Sequence, residues 1–551
     1  MPTASALIAE RSGRIPSLER QQLGSGPGSG NHQTGRSRGT IFVLICLLIF
    51  GASGCELSDQ SCQTPLPPQP VSRTKQATAW RETWDVHLLA GQPVGFCQTL
   101  IRPIVRGGSV EQVTSSIDRL TIRRGGEAIE QHLEQTARQS ADGGLRGASN
   151  RLTGGGDSLE FRWQPVDGGW VVWKQRGTSA PETARTATTA IQGPFAVQET
   201  LRASPMQAGE RRRLTHVLPL YAQPAVTQLT AQQRESTSLL GGQVGELLRV
   251  DCLTEVPGQP AMRSQCWVDE RGEVIKSRQS ALDLTSYRSS RAEVTQLLHG
   301  APGVDLLAVT QIPLERALDR KAPQWQLKIR SIDGQPIDYE FPSLPWQRVE
   351  IASPQQIHLT ILRDAGALTG GPTPQAGDRL PNALIQSDNP TVVKLAAEVG
   401  KFPSSEALAM ALAHQVHTHI RQVNYASGFL SAAEVAQRGA GDCTEHAVLL
   451  AAVCRARGLP ARVAAGLIYA PRAGQPGLAW HLWTWAWIGD RWLPLDATLP
   501  ELRAGADRIH LVSSDLADGN EYACLGGAVL AKGSWRIEQD GPSATNSDGH
   551  P

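Results

Sequence analysis

One stretch, residues 439–498, leaves few options for how its part of the chain can fold. In GAGDCTEHAVLLAAVCRARGLP, Asp442 stands at a helix N-cap and Val448, Leu449, Ala452 and Val453 take apolar helical positions. Gly458 stops that helix and Pro460 prevents its continuation. A strand-like run, ARVAAGLIYA, comes next. After a Pro/Gly loop, AWHLWTWAWIGDRWLPLDAT alternates as two strands about a Gly489-Asp490 turn. One capped helix followed by antiparallel strands reads as an α+β unit, with the helix packed on the sheet.

Chemistry-bearing residues sit at the ends of these elements. Cys443 opens the helix, where the dipole and the free backbone N–H groups favour an anion and hence a nucleophilic thiolate. Symmetric pairing about the 489/490 turn sets 481 near 498 and 483 near 496, so His481 and Asp496 fall diagonally close. Cys443 can then attack an acyl carbon, His481 can take and return the proton, and Asp496 can hold the imidazole tautomer. Cys454, deep in the apolar helix, reads as an inert core thiol. Taken singly, a Cys at a helix start, a His among tryptophans and an Asp at a strand end are more often structural. Their convergence favours a triad. Glu445 and His446 are expected in surface or supporting roles.

GDCTEHA, GLPARVAAGLIY, HLWTW and WLPLDAT, in that order, resemble the bacterial transglutaminase-like superfamily. The likeness covers about residues 387–515. It implies a papain-like fold in which Cys443 is the nucleophile, His481 the base and Asp496 the orienting acid, with Trp483 as the aromatic beside the His. It also implies an oxyanion hole made of the nucleophile's N–H and an upstream side chain, for which Tyr425 is the candidate. Protein or peptide amides are the implied substrates, hydrolysis being favoured over transamidation. The alternative is a non-catalytic envelope lipoprotein that uses this domain as a peptide-binding or scaffold module. No cofactor or metal is expected: no Asp-rich calcium loop occurs, and the nine cysteines lack zinc-site spacing.

The rest of the chain reads by composition. Residues 1–39 are a Ser/Gly/Arg-rich tail, predicted disordered, and TIFVLICLLIFGA from Thr40 is an apolar run too short for a spanning helix. Followed by Ala52-Ser53-Gly54-Cys55, it fits a signal segment (40–55) that resembles a lipobox, with Ala where Leu is usual. A lipoprotein anchored at Cys55, a cleaved soluble export and an uncleaved anchor all remain open, and each puts the protein in the cell envelope. Residues 56–78 form a Pro-rich linker. Residues 79–346 alternate between Gly/Asp turns as an antiparallel β-rich region, with two subdomains meeting near 195 as one option. That region shows no catalytic pattern and is vaguely similar to N-terminal domains of envelope lipoproteins with such catalytic ends. Cys252 and Cys266 flank a turn there and are expected to close the hairpin as a disulfide. Residues 347–386 read as a second linker, and 516–551 as a C-terminal strand and a disordered tail. Helices are expected from Pro390, from Ser404 and from Ser431 with its Glu434 capping box. On the second of these, His414 and His417 lie on the polar face and His419 near the apolar stripe, so the three cannot chelate one ion. With 53 basic and 52 acidic residues, charge gives no case for a nucleic-acid partner.

Overall fold

The structure, a computed structural model, describes residues 80–540 apart from short internal stretches, chiefly 258–260, 280–282, 364–370, 424–429, 505–506 and 518–534. The expected tail, signal segment with Cys55 and first linker fall outside the described residues, as does Tyr425.

The β-rich region is one continuous antiparallel meander. Its first eight strands are β1 (Arg81–Leu89), β2 (Gln92–Arg106), β3 (Ser109–Arg124), β4 (Glu127–Ser140), β5 (Leu145–Gly154), β6 (Asp157–Val166), β7 (Gly169–Arg176) and β8 (Glu182–Thr186). Helix α1 (Ala196–Ala203) separates them from β9 (Arg211–Val217), β10 (Pro224–Ser238), β11 (Val244–Glu255), β12 (Met262–Val268), β13 (Val274–Gln279) and β14 (Leu284–Ser289). Antiparallel pairing of β1 with β14 joins the two runs, so the chain does not divide into two sheets near 195. Asp167-Gly168 turns the chain between β6 and β7, and residues 269–273 turn it between β12 and β13. Trp163 and Trp170 are core residues, whereas Trp173 is 40% exposed. The expected disulfide is absent: Cys252 and Cys266 are both free. The register sets Cys252 opposite Ser264 and Cys266 opposite Val250, making the thiols diagonal neighbours on β11 and β12 instead of a cross-strand pair.

Helix α2 (Arg291–Leu298), β15 (Val304–Asp305), α3 (Leu306–Thr310) and β16 (Ile312–Pro313) lead into a second, four-stranded sheet. It is built from β17 (Gln324–Ser331), β18 (Gln347–Ser353) and β19 (Gln356–Leu362). The segment expected as a linker from 347 therefore begins with two paired strands. Their Gln-Ile-His-Leu-Thr-Ile-Leu alternation buries Ile357, Leu359 and Ile361.

The helical part begins at α4 (Pro390–Ala397), with Asn389 as N-cap and Pro390 at its first turn, followed by α5 (Ser405–His419) capped by Ser404. Strand β20 (Gln422–Val423) precedes α6 (Ala432–Arg438), whose Ser431–Glu434 capping box forms as expected and which Gly439 ends at φ 60°. Beyond the two-residue β21 (Ala440–Gly441) comes α7 (Cys443–Ala456). Strands β22 (Ala461–Tyr469), β23 (Gly477–Trp487), β24 (Trp492–Leu495) and β25 (Arg508–Ser514) form a third sheet in the order β16-β23-β22-β25, with β24 on the other end of β23. The last strand, β26 (Trp535–Gln539), returns to pair with β17 in the second sheet.

Two apolar clusters bind the parts together. One runs from Leu152, Phe161 and Trp163 of the large sheet to Leu412, Val416 and Leu449 of the helices. The other joins Leu120 and Ile122 of the large sheet, Leu327, Leu359 and Trp535 of the second sheet, and Leu467 and Ile509 of the third. Trp535 is 4% exposed and packs on Phe341, with ring centroids 4.9 Å apart. Trp535→Ala should therefore lower unfolding stability by about 3–5 kcal/mol, read as a shift of the denaturant midpoint; an unchanged midpoint would show that β26 contributes nothing.

Candidate active site

Helix α7 is apolar nearly all round, and Ala447 to Cys454 are buried without interruption. Such a helix exposes chemistry only at its ends. At its N-terminus the Asp442 side chain accepts from Thr444 N, and Glu445 reaches back to Asp442 N at 2.9 Å. This is a reciprocal capping box, with Cys443, half-buried, as the first helical residue. Glu445 is fully buried and not a surface residue. Burial, and then the neighbouring Asp442 carboxylate, push its pKa well up. His446 is buried too; burial lowers its pKa, and its ring Nδ1 bonds the Asp442 carbonyl oxygen at 2.6 Å.

Strand β23 is fixed against this helix by buried Thr484, which donates to the Ala447 carbonyl at 2.9 Å. Pairing of β23 with β24 sets Thr484 opposite Leu495, the register expected from the 489/490 turn. The two strand ends then converge: His481 Nε2 lies 2.7 Å from Asp496 Oδ2, and Cys443 is near enough to act on the charge of the ring. With Nε2 engaged by the carboxylate, Nδ1 is the ring nitrogen left for the thiol. The three residues singled out in the sequence thus meet at one point. Trp483 stacks beside His481, with centroids 6.4 Å apart and planes at 18°.

Electrostatics polarise this arrangement. Burial alone would lower the His481 pKa, but the Asp496 carboxylate and then the Cys443 sulfur raise it to about 10. Burial would likewise raise Asp496, yet His481, Arg508 and Thr498 hold it far below the usual carboxylate range. Cys454 is inert, its thiol pushed up to about 12 by burial.

Three supporting residues escaped the sequence reading. Arg508 Nη1 contacts Asp496 Oδ2 at 2.9 Å, and Thr498 donates to Oδ1 from both its backbone N–H and its hydroxyl. His417, assigned only to a polar helix face, bonds the Ala497 carbonyl through Nδ1 at 2.8 Å and so ties α5 to the loop that carries Asp496. His419 instead bonds the Ala436 carbonyl, and His414 is exposed. The signals were an Arg at the start of a short strand and a Thr two positions after the Asp.

The large sheet holds a superficially similar group, with His87 between Ser286 Oγ (2.7 Å) and Asp118 Oδ2 (3.2 Å). Ser286 lies on β14, which is paired with strands on both sides, so its N–H belongs to the ladder and is not free to hold an oxyanion.

Residues 393–497 match the model of the transglutaminase-like superfamily. This segment is a transglutaminase-like domain. The match contains Cys443, His481 and Asp496 and ends one residue beyond the carboxylate. No curated protein matches the chain. Among solved structures, the chain is similar to a candidate cysteine protease from Cytophaga hutchinsonii (16% identity, 41% of this chain and 93% of that one, TM-score 0.28). It is also similar to a β-barrel-like protein of unknown function from Brucella abortus (11% identity, 39% and 97% covered, TM-score 0.29). A third is a candidate protease from Parabacteroides distasonis (10% identity, 65% and 68% covered, TM-score 0.18). At such scores the likeness in shape carries no argument about function.

The raised His481 pKa has a consequence for stability. Folding favours the protonated ring, so that stabilisation is complete below the unfolded value of 6.5 and is lost as pH rises through about 10. Guanidinium midpoints of the native chain should fall across that window, and the fall should be shallower in His481→Gln. Equal slopes for the two proteins would remove His481 as the source.

Proposed function

We propose that the protein is a thiol enzyme acting on protein or peptide amide bonds. The reading is supported chiefly by the 2.7 Å contact of His481 Nε2 with Asp496, the charge of the imidazole also being influenced by a cysteine at the start of a helix. Cys443, as thiolate, adds through sulfur to the amide carbonyl carbon, and the carbonyl π pair moves onto oxygen. The Cys443 N–H, which precedes the Thr444 and Glu445 donors held by the Asp442 cap, is suited to hold that oxyanion. The C–N bond then breaks as the nitrogen takes the proton from His481 Nδ1 and leaves as the amine, and the acyl group remains as a thioester. Water, losing a proton to the now neutral His481, adds to the thioester carbonyl. The sulfur leaves as thiolate beside the restored imidazolium, and the carboxylic acid is released. Asp496 fixes the ring and stabilises its cation throughout. Hydrolysis is the reading we adopt because water is always available to the thioester, whereas an amine acceptor has to be bound.

The direct test is cleavage of a protein digest by the purified chain, with products read by mass spectrometry in H2-18O with and without added primary amine. Cys443→Ala should reduce turnover about a thousandfold or more while shifting unfolding stability by no more than about 1 kcal/mol. Activity that survives the substitution would refute the thiol mechanism, and amine incorporation exceeding 18O incorporation would reassign it to transamidation.

We further propose that the chain is exported and tethered to a membrane through Cys55, the reading supported by the apolar run and small residues that precede that cysteine. Cys55→Ser should move the protein from the membrane fraction to the soluble fraction; unchanged fractionation would exclude the anchor.

A further inference from the structure

Asp496 is 1% exposed and carries its charge between two cations. Its Oδ2 faces His481 Nε2 at 2.7 Å and Arg508 Nη1 at 2.9 Å. Arg508, 5% exposed, starts β25, which pairs with β22 and not with the β23–β24 hairpin that carries His481 and Asp496. It stands opposite Ile468 of β22, two residues along from the Gly466 that faces His481, with its guanidinium over the Trp483 ring at 5.3 Å. A Cβ on Gly466 would stand 2.0 Å from the Ile509 carbonyl oxygen, so β22 and β25 approach closely only because that position is glycine.

We infer that Arg508 is a positioning residue of the thiol site: by occupying the oxygen of Asp496 that faces His481, it locks the carboxylate and divides its pull on the imidazole. The inference rests on the thiol-enzyme reading above. Two demands conflict at His481. The ring must be cationic beside the thiolate, yet it must release its proton to a leaving nitrogen. A buried carboxylate with undivided charge meets the first demand and works against the second, because no water screens the pair. A second cation on the same oxygen moderates the attraction while keeping the carboxylate ionised. Arg508 is itself shared, since its Nε contacts Asp507 Oδ1 at 3.0 Å. Charge therefore runs in alternation from Asp507 through Arg508 and Asp496 to His481 and Cys443. The other titratable groups nearby are His446 and Asp442 at the start of α7 and His417 on α5, whose interactions link them to the same carboxylate region, and His510 on β25, which burial keeps neutral.

This chain of charges predicts shifts of opposite sign at its two far positions. The probe is iodoacetate, an anion whose reaction with a thiolate is assisted by an adjacent imidazolium, so its rate at Cys443 falls as His481 deprotonates. Rates would be measured on the full chain against pH, with the alkylated cysteine located by mass spectrometry. Arg508→Met should move the alkaline limb upward by about one pH unit, and Arg508→Lys should move it less. Asp507→Asn, which frees more of the guanidinium charge for Asp496 without touching the triad, should move it downward. A limb left in place by both Arg508→Met and Asp507→Asn, or moved the same way by both, overturns the inference; should Arg508→Met fail to fold, the direction for Asp507→Asn decides alone. Absence of any imidazolium-dependent alkylation at Cys443 in the native chain would instead defeat the thiol-enzyme reading, and this inference with it.

Discussion

A helix that is apolar on every face has to be covered on every face, and much of the architecture follows from α7 meeting that requirement. Strands β22 and β23 cover one side, while α4, α5 and α6 cover the others. The Asp442–Glu445 box closes its polar end, where Cys443 and Thr444 are half-buried. Cys443 is therefore presented at the rim of the core by the same packing that hides Cys454 within it. Thr484 adds a buried polar tie between helix and strand, and it sets how far along β23 His481 stands from the thiol. The position of the site is thus a consequence of burial.

The second constraint is a carboxylate out of reach of water. A buried charge is tolerable only when its lone pairs are occupied, and Asp496 has partners on both oxygens: His481 and Arg508 on Oδ2, Thr498 twice on Oδ1. The surroundings that make this arrangement strong are aromatic. Trp483, Trp485, Trp492 and Trp346 form a packed wall, and His510 stands among them. Burial lowers the His510 pKa to about 3, so it adds no positive charge near Arg508. His481 and His510 are opposed across Gly466 through β22, yet one is held cationic and the other neutral. The difference lies in the neighbours, a carboxylate for one and indole rings for the other, and this divergence is what the proposed proton-carrying role of His481 requires.

How much of this was legible depends on how local each signal is. The α7 cap, the 489/490 turn and the register that joins His481 to Asp496 are written within stretches of about twenty residues, and the structure forms them as read. The capping box at Ser431 and the Pro390 start were legible for the same reason. What failed involves partners distant in sequence. The β1–β14 pairing that unites the large sheet joins strands far apart in the chain, so a boundary near 195 was a natural misreading. The strands from 347 form a local hairpin, β18 on β19, but only β19 reaches the sheet through the more distant β17, so the Pro/Gly-rich composition after 362 reads as a linker for the whole segment. The Cys252–Cys266 bond failed on a register offset of one residue pair, which no turn composition could specify. Arg508 and His417 act on the Asp496 region from other elements, and only the folded chain shows them there.

The transglutaminase-like segment is also less than a self-sufficient unit. It ends at 497, before Thr498 and before β25, so the residues that complete the shell of Asp496 lie outside it. Strand β25 is held in turn by Ile509 and Leu511, which pack with Leu327, Trp535 and Ile537 of the second sheet and with Leu120 and Ile122 of the large one. A continuous path of apolar contacts therefore connects β3 to the strand that delivers Arg508. Interiors packed to this density transmit changes of shape poorly absorbed elsewhere, so the orientation of the Asp496 carboxylate is tied to sheets that contribute no group to the chemistry. The large sheet is a structural wall of the candidate site, whose geometry belongs to the whole described chain more than to the segment that carries Cys443, His481 and Asp496.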